Sequence, residues 1–192
     1  RDRADVEFRR ALFLRDQLQM PAALEAFRMS LAIDATHDES RQAMVAVLLE
    51  TRRFDDAVKV LNEGLALQPY NLSLAMTLAR VIVERGDAAA ALKILDRHLT
   101  SAANSADYHA FRAVLQQRMG RHEEAMKEFR AALYLSPEPG KWWLGLGISQ
   151  QAMAQRVEAL ESYRRAKGAG NLTPGLVVFV DQRIQQLERN GS

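Results

Sequence analysis

The feature that most constrains the fold of this sequence is a series of alanines spaced 34 residues apart. Ala23, Ala57, Ala91, Ala125 and Ala159 stand in constant register. A period of this length indicates a pair of helices that is copied along the chain and buries its apolar face against the next copy. The sequence therefore predicts an all-α fold, an α-solenoid of five helical hairpins.

The register also sets the expected organisation, a single domain over residues 1–192. The five units are residues 4–37, 38–71, 72–105, 106–139 and 140–173. Thr173 and Pro174 have the pattern of a helix N-cap followed by a first-turn proline. We expect a capping helix over residues 174–189 that covers the last exposed seam of the solenoid. Its apolar stripe consists of Leu176, Val177, Val180, Ile184 and Leu187.

Three further positions repeat with the alanines. Twelve residues before each alanine is a small or slim side chain: Ala11, Val45, Ala79, Ala113 and Gly147. Four residues after it is a large apolar one: Phe27, Leu61, Leu95, Phe129 and Tyr163. Three residues further on the set is Ser30, Gly64, His98, Ala132 and Ala166. Small residues allow two helices to approach closely, so we interpret these positions, including His98, as helix contacts.

Glycine and proline mark the expected helix ends. Gly86 and Gly120 fall between the two helices of their units, where a left-handed residue can end the first helix. Pro21 suits the first turn of a helix, and Pro69 and Pro137 follow second helices, where proline stops a helix.

The pattern resembles the tetratricopeptide repeat, which has this unit length and places a tryptophan, Leu-Gly, an aromatic residue and two alanines at fixed offsets. Residues 140–173 match it best, with a departure at Gln150, where the family usually has tyrosine. The matching residues are Trp143, Leu146, Gly147, Ala159, Tyr163 and Ala166. The resemblance implies a non-catalytic module that binds other proteins.

A narrower resemblance concerns three strings, LARVIVERGD (78–87), DYHAFRAVLQQRMGRHEEA (107–125) and KWWLGLGISQQA (141–152). They are similar to the C-terminal repeat region of the family of the MSHA-pilus biogenesis protein MshN. The resemblance implies a bacterial scaffold in the assembly of a type IV pilus or a related secretion machinery. It also implies a soluble domain of an inner-membrane-anchored protein, on the periplasmic side rather than the cytoplasmic side.

Charge and composition exclude several other classes. Lys and Arg number 26 against 24 Asp and Glu, and no basic block occurs, so nucleic acid is not expected as a partner. The absence of cysteine excludes disulfides and thiol chemistry. No apolar run reaches the roughly 18 residues of a membrane span, so we expect no membrane insertion of this segment. Because the chain begins with Arg1, we interpret it as part of a longer protein.

Motifs of catalysis and cofactor binding are incomplete. The helix that contains His122, Glu123 and Glu124 has Met126 where a zinc-protease motif requires its second histidine. The glycine pairs 145/147 and 168/170 lack the third glycine of a dinucleotide-binding loop. We therefore expect no enzymatic activity, no cofactor and no metal.

The repeat resemblance implies which residues of the first helices line a partner-binding groove. These residues are Phe8, Leu12, Gln42, Met76, Arg80, Val83, Phe111, Val114, Arg118, Leu144, Ile148 and Gln151. Apolar residues in such a concavity usually indicate an interaction site, although some of them can instead be core. The expected occupant is a protein or peptide segment of a pilus or secretion assembly.

Two alternatives remain at this stage. The chain could be the regulatory or substrate-docking arm of a larger enzyme, or it could self-associate through the ends of the solenoid. The full-length parent sequence would separate the first alternative from a scaffold, because a transmembrane segment favours the scaffold and a catalytic domain favours the enzyme. Light scattering would test self-association.

Overall fold

The computed structural model describes residues 2–189, which form eleven α-helices and no β-strand. The helices are α1 (Asp2–Asp16), α2 (Met20–Ile33), α3 (Asp38–Glu50), α4 (Phe54–Leu67), α5 (Leu72–Glu84), α6 (Ala88–Asp96), α7 (Ala106–Arg118), α8 (His122–Leu135), α9 (Gly140–Ala152), α10 (Arg156–Gly168) and α11 (Pro174–Arg189). The predicted all-α class is therefore confirmed. None of these helices combines the length and the apolar composition that a membrane span requires.

The chain packs as two compact units, Arg1–Asp87 and Ala88–Ser192. In the first unit each of the helices α1 to α5 packs against the next one along the chain. In the second unit the same holds for α6 to α11. The boundary lies between α5 and α6, inside the third predicted repeat, and a single domain over the whole chain stays a prediction.

The repeated positions form the cores of both units, as predicted. All five alanines of the 34-residue register are fully buried. The large apolar residues that follow them are at most 1% exposed, and His98 is buried at the position where other repeats have small residues. The 34-residue period therefore marks buried contacts between helices.

Two glycines of α9 show how closely these helices approach. A Cβ atom on Gly147 would lie 2.9 Å from Cδ1 of Tyr163, a residue of α10. A Cβ atom on Gly145 would lie 2.7 Å from Cε1 of Phe129, a residue of α8. Real side chains do not approach this closely, so α9 packs against both neighbours only because these positions carry no side chain.

The turns between paired helices share one left-handed residue at a constant repeat position. Gly86 and Gly120 have φ angles of 90° and 73°, which confirms the predicted role of these glycines. Leu18, Arg52 and Ala154 occupy the equivalent positions with φ angles of 58°, 56° and 58°. The same left-handed turn conformation therefore recurs in successive repeats, even where the residue is not glycine.

Because a left-handed conformation strains any residue that has a Cβ atom, Ala154→Gly is expected to stabilise the protein. The expected gain is about 0.5–1 kcal/mol in the free energy of unfolding, after the entropic cost of glycine is deducted. Gly120→Ala should have the opposite effect. Urea unfolding would measure both, with Ala131→Gly, inside α8, as a destabilising control. A loss of stability in Ala154→Gly would contradict the argument.

The two adjacent tryptophans of α9 have different environments. Trp142 is 7% exposed and packs in a cluster with Phe129, Leu133 and Leu146. Trp143, which carries the repeat resemblance, is only half-buried, and its Nε1 donates a hydrogen bond to the carbonyl of Pro137 (2.9 Å). The more fully buried ring is thus that of Trp142, whereas the repeat resemblance rests on Trp143.

Helix α11 covers the end of the second unit. Val180 and Leu187 are buried in a cluster with Tyr163 of α10, as the apolar stripe predicts. Arg156, at the start of α10, donates from Nε to the carbonyl of Leu187 (2.8 Å). This contact satisfies a carbonyl in the last turn of α11, which has no partner within the helix.

Candidate functional site

Six of the twelve predicted groove residues lie in the first unit, on α1, α3 and α5. Phe8 and Leu12 are half-buried, and the Phe8 ring lies 6.1 Å from that of Phe27 between centroids. Gln42 is exposed and donates from Nε2 to the hydroxyl of Ser73 (3.2 Å). On α5, Arg80 is exposed and Val83 is half-buried, whereas Met76 is only 7% exposed. Most of the Met76 side chain is therefore core.

The other six predicted residues lie in the second unit, on α7 and α9. Phe111 and Val114 are half-buried and Arg118 is exposed, all on α7. On α9, Ile148 and Gln151 are half-buried, whereas Leu144 is buried with the α10 and α11 residues. Leu144 therefore belongs to the core, and the remaining residues leave a partly apolar, accessible face on each helix.

Gln151 is held in place by a buried tyrosine. The Tyr163 hydroxyl donates to Oε1 of Gln151 (2.8 Å). Burial raises the pKa of Tyr163 to about 12, although Arg183 acts in the opposite direction. The hydroxyl is therefore protonated at neutral pH and is a hydrogen-bond donor, not a nucleophile.

A second accessible feature, which the sequence reasoning missed, is a furrow between α8 and α10 with α9 as its floor. We call it the α8–α10 furrow. It encloses about 650 Å³ and is lined by side chains that include Leu133, Tyr134, Trp143, Leu146, Val157 and Arg165. Tyr134 is 88% exposed and Val157 is 78% exposed. The sequence did contain a signal for this furrow, because Tyr134 and Val157 are large apolar residues among the polar residues of second helices.

The polar core of the second unit is centred on Arg112 of α7. Its guanidinium pairs with Asp96 and, at 2.9 Å, with Oε1 of Glu128. Oε2 of Glu128 also lies 2.6 Å from Nδ1 of His109. The Nε2 atom of the same ring lies 3.0 Å from the carbonyl oxygen of Ala103. Burial opposes the charge of Arg112, but the hydrogen bonds that its guanidinium donates to the two carboxylates outweigh this effect and raise the pKa of Arg112.

His98 is a further polar residue in the core of the second unit. His98 is buried, and burial followed by the charge of Arg97 lowers its pKa. Its Nδ1 has no hydrogen-bond partner. Between residues 2 and 189, no three histidine, aspartate or glutamate side chains are grouped so that they could hold a metal ion. The accessible surfaces in these units are thus apolar faces with scattered charge, an arrangement suited to contact with another molecule.

Family profiles match the middle part of the chain. Tetratricopeptide-repeat profiles match residues 48–115 and residues 106–139. No curated protein matches the sequence.

Solved structures match over most of the chain. The crystal structure of MamA protein has a TM-score of 0.74 at 16% identity, covering 86% of this chain and 91% of that one. A MamA fragment from Desulfovibrio magneticus RS-1 has a TM-score of 0.74 at 17% identity, covering 88% and 96%. YrrB, described as a TPR protein with an unusual peptide-binding site, has a TM-score of 0.73 at 18% identity, covering 92% and 90%. At these identities the likeness concerns the fold.

Proposed function

Because residues 48–139 carry tetratricopeptide repeats, we propose that this chain is a non-catalytic scaffold that binds a protein or a peptide segment of a partner. Repeated helical pairs bury one face of each helix against the next pair and leave another face for binding. YrrB, which shares the fold, is described as having a peptide-binding site. That description supports the same class of ligand for this chain.

The proposed binding surface is the accessible part of the predicted groove within each unit. The observation that carries it is the row of half-buried apolar side chains on first helices, such as Phe8 and Leu12 on α1 and Phe111 and Val114 on α7. Leaving such side chains partly in water costs free energy that a partner can recover by covering them. Arg80 on α5 and Arg118 on α7 add exposed positive charge at groove positions of their helices.

We further propose that the partner belongs to a bacterial type IV pilus of the MSHA kind or to a related secretion machinery. This part of the proposal rests on the resemblance of the sequence segments 78–87, 107–125 and 141–152 to the repeat region of the MshN family. In that setting the chain would work on the periplasmic side of the inner membrane, attached to an anchor elsewhere in its parent protein.

Co-elution of the purified chain with inner-membrane pilus proteins tests the proposal. Gln42→Lys and Arg118→Glu change exposed groove residues in one unit each, so the fold should be preserved. We expect each change to weaken binding by about tenfold, as loss of a central interface contact does. Lys93→Glu, an exposed charge change on the second helix α6, is the control. Equal binding by all variants would rule out the groove, and no binding by the unmodified chain would rule out these partners.

A further inference from the structure

The α8–α10 furrow has the properties of a binding site. Its floor residues Trp143, Leu146 and Gln150 are spaced so that they lie along one face of α9. The Leu133 and Tyr134 side chains form part of the α8 wall, and Val157 contributes to the α10 wall. Large apolar side chains gathered in a concave pocket usually mark a site where another molecule binds.

The charges that line the furrow differ between its two walls. Arg130 on the α8 wall and Glu158 on the α10 wall are exposed, and neither forms an ion pair or a hydrogen bond through its side chain in the structure of residues 2–189. Glu161 is instead paired with Arg165 at 2.8 Å, and the Arg165 guanidinium lies 4.8 Å from the ring centroid of Trp143. One unpaired cation and one unpaired anion therefore flank an apolar floor.

We propose that this furrow binds a short amphipathic helix of a partner protein. The helix places an aromatic side chain against the apolar floor at Trp143, and it presents an acidic residue to Arg130 and a basic residue to Glu158. The lining residues of α9 span two helical turns, about 11 Å, which is the length that two turns of a docked helix occupy. The two unpaired charges fix the orientation of the bound helix because they attract opposite partners.

This site is distinct from the proposed groove. The groove positions Leu144, Ile148 and Gln151 follow a different line of α9 from the furrow floor, because each residue step rotates around the helix by about 100°. The inference therefore adds a second binding surface to the proposed scaffold, and each surface can fail its test while the other passes.

The first unit contains a matched comparison at equivalent repeat positions, between α2 and α4. That furrow encloses about 390 Å³. Arg41 takes the place of Trp143, and Ala32 takes the place of Tyr134. The Arg41 guanidinium is buried and donates to the carbonyls of Val60 (2.8 Å) and Ala35 (2.7 Å). Without the two aromatic side chains this furrow is smaller and more polar, so it lacks the aromatic floor and wall against which the proposed anchor packs in the α8–α10 furrow.

The test uses the full chain and synthetic helical peptides of about 12 residues, long enough for two docked turns with flanks. Each peptide carries one central phenylalanine, with aspartate on one side and lysine on the other at several spacings, and no tryptophan. The two tryptophans of the chain both lie on α9, and Trp143 lines the furrow, so a change in their fluorescence reports binding. We expect at least one spacing to bind saturably, and replacing its phenylalanine with alanine should weaken binding by about tenfold or more.

Variants of the chain locate the site. Arg130→Glu should weaken binding by about tenfold, and a peptide with lysine in place of aspartate should restore it. Lys59→Glu, in the equivalent furrow of the first unit, and Arg118→Glu, in the proposed groove, should leave peptide binding unchanged. Absence of saturable binding below about 1 mM for every spacing would overturn the proposal. So would equal binding by Arg130→Glu and the unmodified chain.

Discussion

Trp142→Ala is expected to lower the free energy of unfolding by about 3–5 kcal/mol, because it removes a buried indole and leaves a cavity. The ring is 7% exposed and packs with Phe129 and Leu146, which lie on α8 and α9. In a chain whose repeats contact mainly their neighbours, the loss should appear first near the altered helix. Hydrogen exchange should therefore speed up in α8 to α10 before it does so in α1 to α4.

Trp143→Ala is the matched control, since it removes the same side chain one residue away. The Trp143 ring is half-buried. Its removal eliminates one hydrogen bond to the carbonyl of Pro137 and the stacking contact with the Arg165 guanidinium. Because the transfer free energy scales with the apolar area removed from water, we expect roughly half of the effect of Trp142→Ala. Urea unfolding of the two variants compares them directly, and a larger loss for Trp143→Ala would contradict the assignment of the buried ring.

Arg112→Met is expected to destabilise the second unit by about 3–5 kcal/mol, because it removes the guanidinium that pairs with a mostly buried carboxylate and leaves that carboxylate with His109 alone. Glu128 is the carboxylate concerned, with a side chain that is 15% exposed. Adding Glu128→Gln should recover much of the loss, since a neutral amide is less costly to bury than a carboxylate that has lost its guanidinium partner. Urea unfolding of the single and double variants gives the coupling between the two residues.

The comparison for this prediction is an ion pair on the surface of the same unit. Lys127 and Glu123 of α8 lie 3.1 Å apart, with side chains that are 69% and 65% exposed. Lys127→Met should change the free energy of unfolding by about 0.5 kcal/mol or less, as is usual for exposed pairs. Similar losses for Arg112→Met and Lys127→Met would show that burial of the Arg112 pair contributes little to stability.

The sequence predicted those parts of the fold that depend on close contact between helices. At a position such as Ala57, where two helix backbones approach, only a small side chain fits. An alanine therefore recurs at this position in every repeat. The turn glycines Gly86 and Gly120 were predictable for a similar reason, since glycine adopts a left-handed conformation without strain. Both kinds of position restrict the residue type locally.

Other features depend on three-dimensional surroundings that the sequence pattern does not show. Adjacent residues such as Trp142 and Trp143 point to different sides of a helix, and a shared motif does not tell which side is buried. Met76 and Leu144 satisfy the groove pattern but lie in the cores. The α8–α10 furrow combines side chains from three helices, so no single stretch of sequence displays it.

The left-handed turn positions have a practical consequence for fluorescence labelling. The chain contains no cysteine, so a thiol introduced at 18, 52 or 154 would be the sole site for a maleimide dye. These positions are equivalent in their repeats and exposed, and none belongs to the proposed groove or furrow. Dyes placed there one at a time would report the melting of individual helical pairs against a common local geometry.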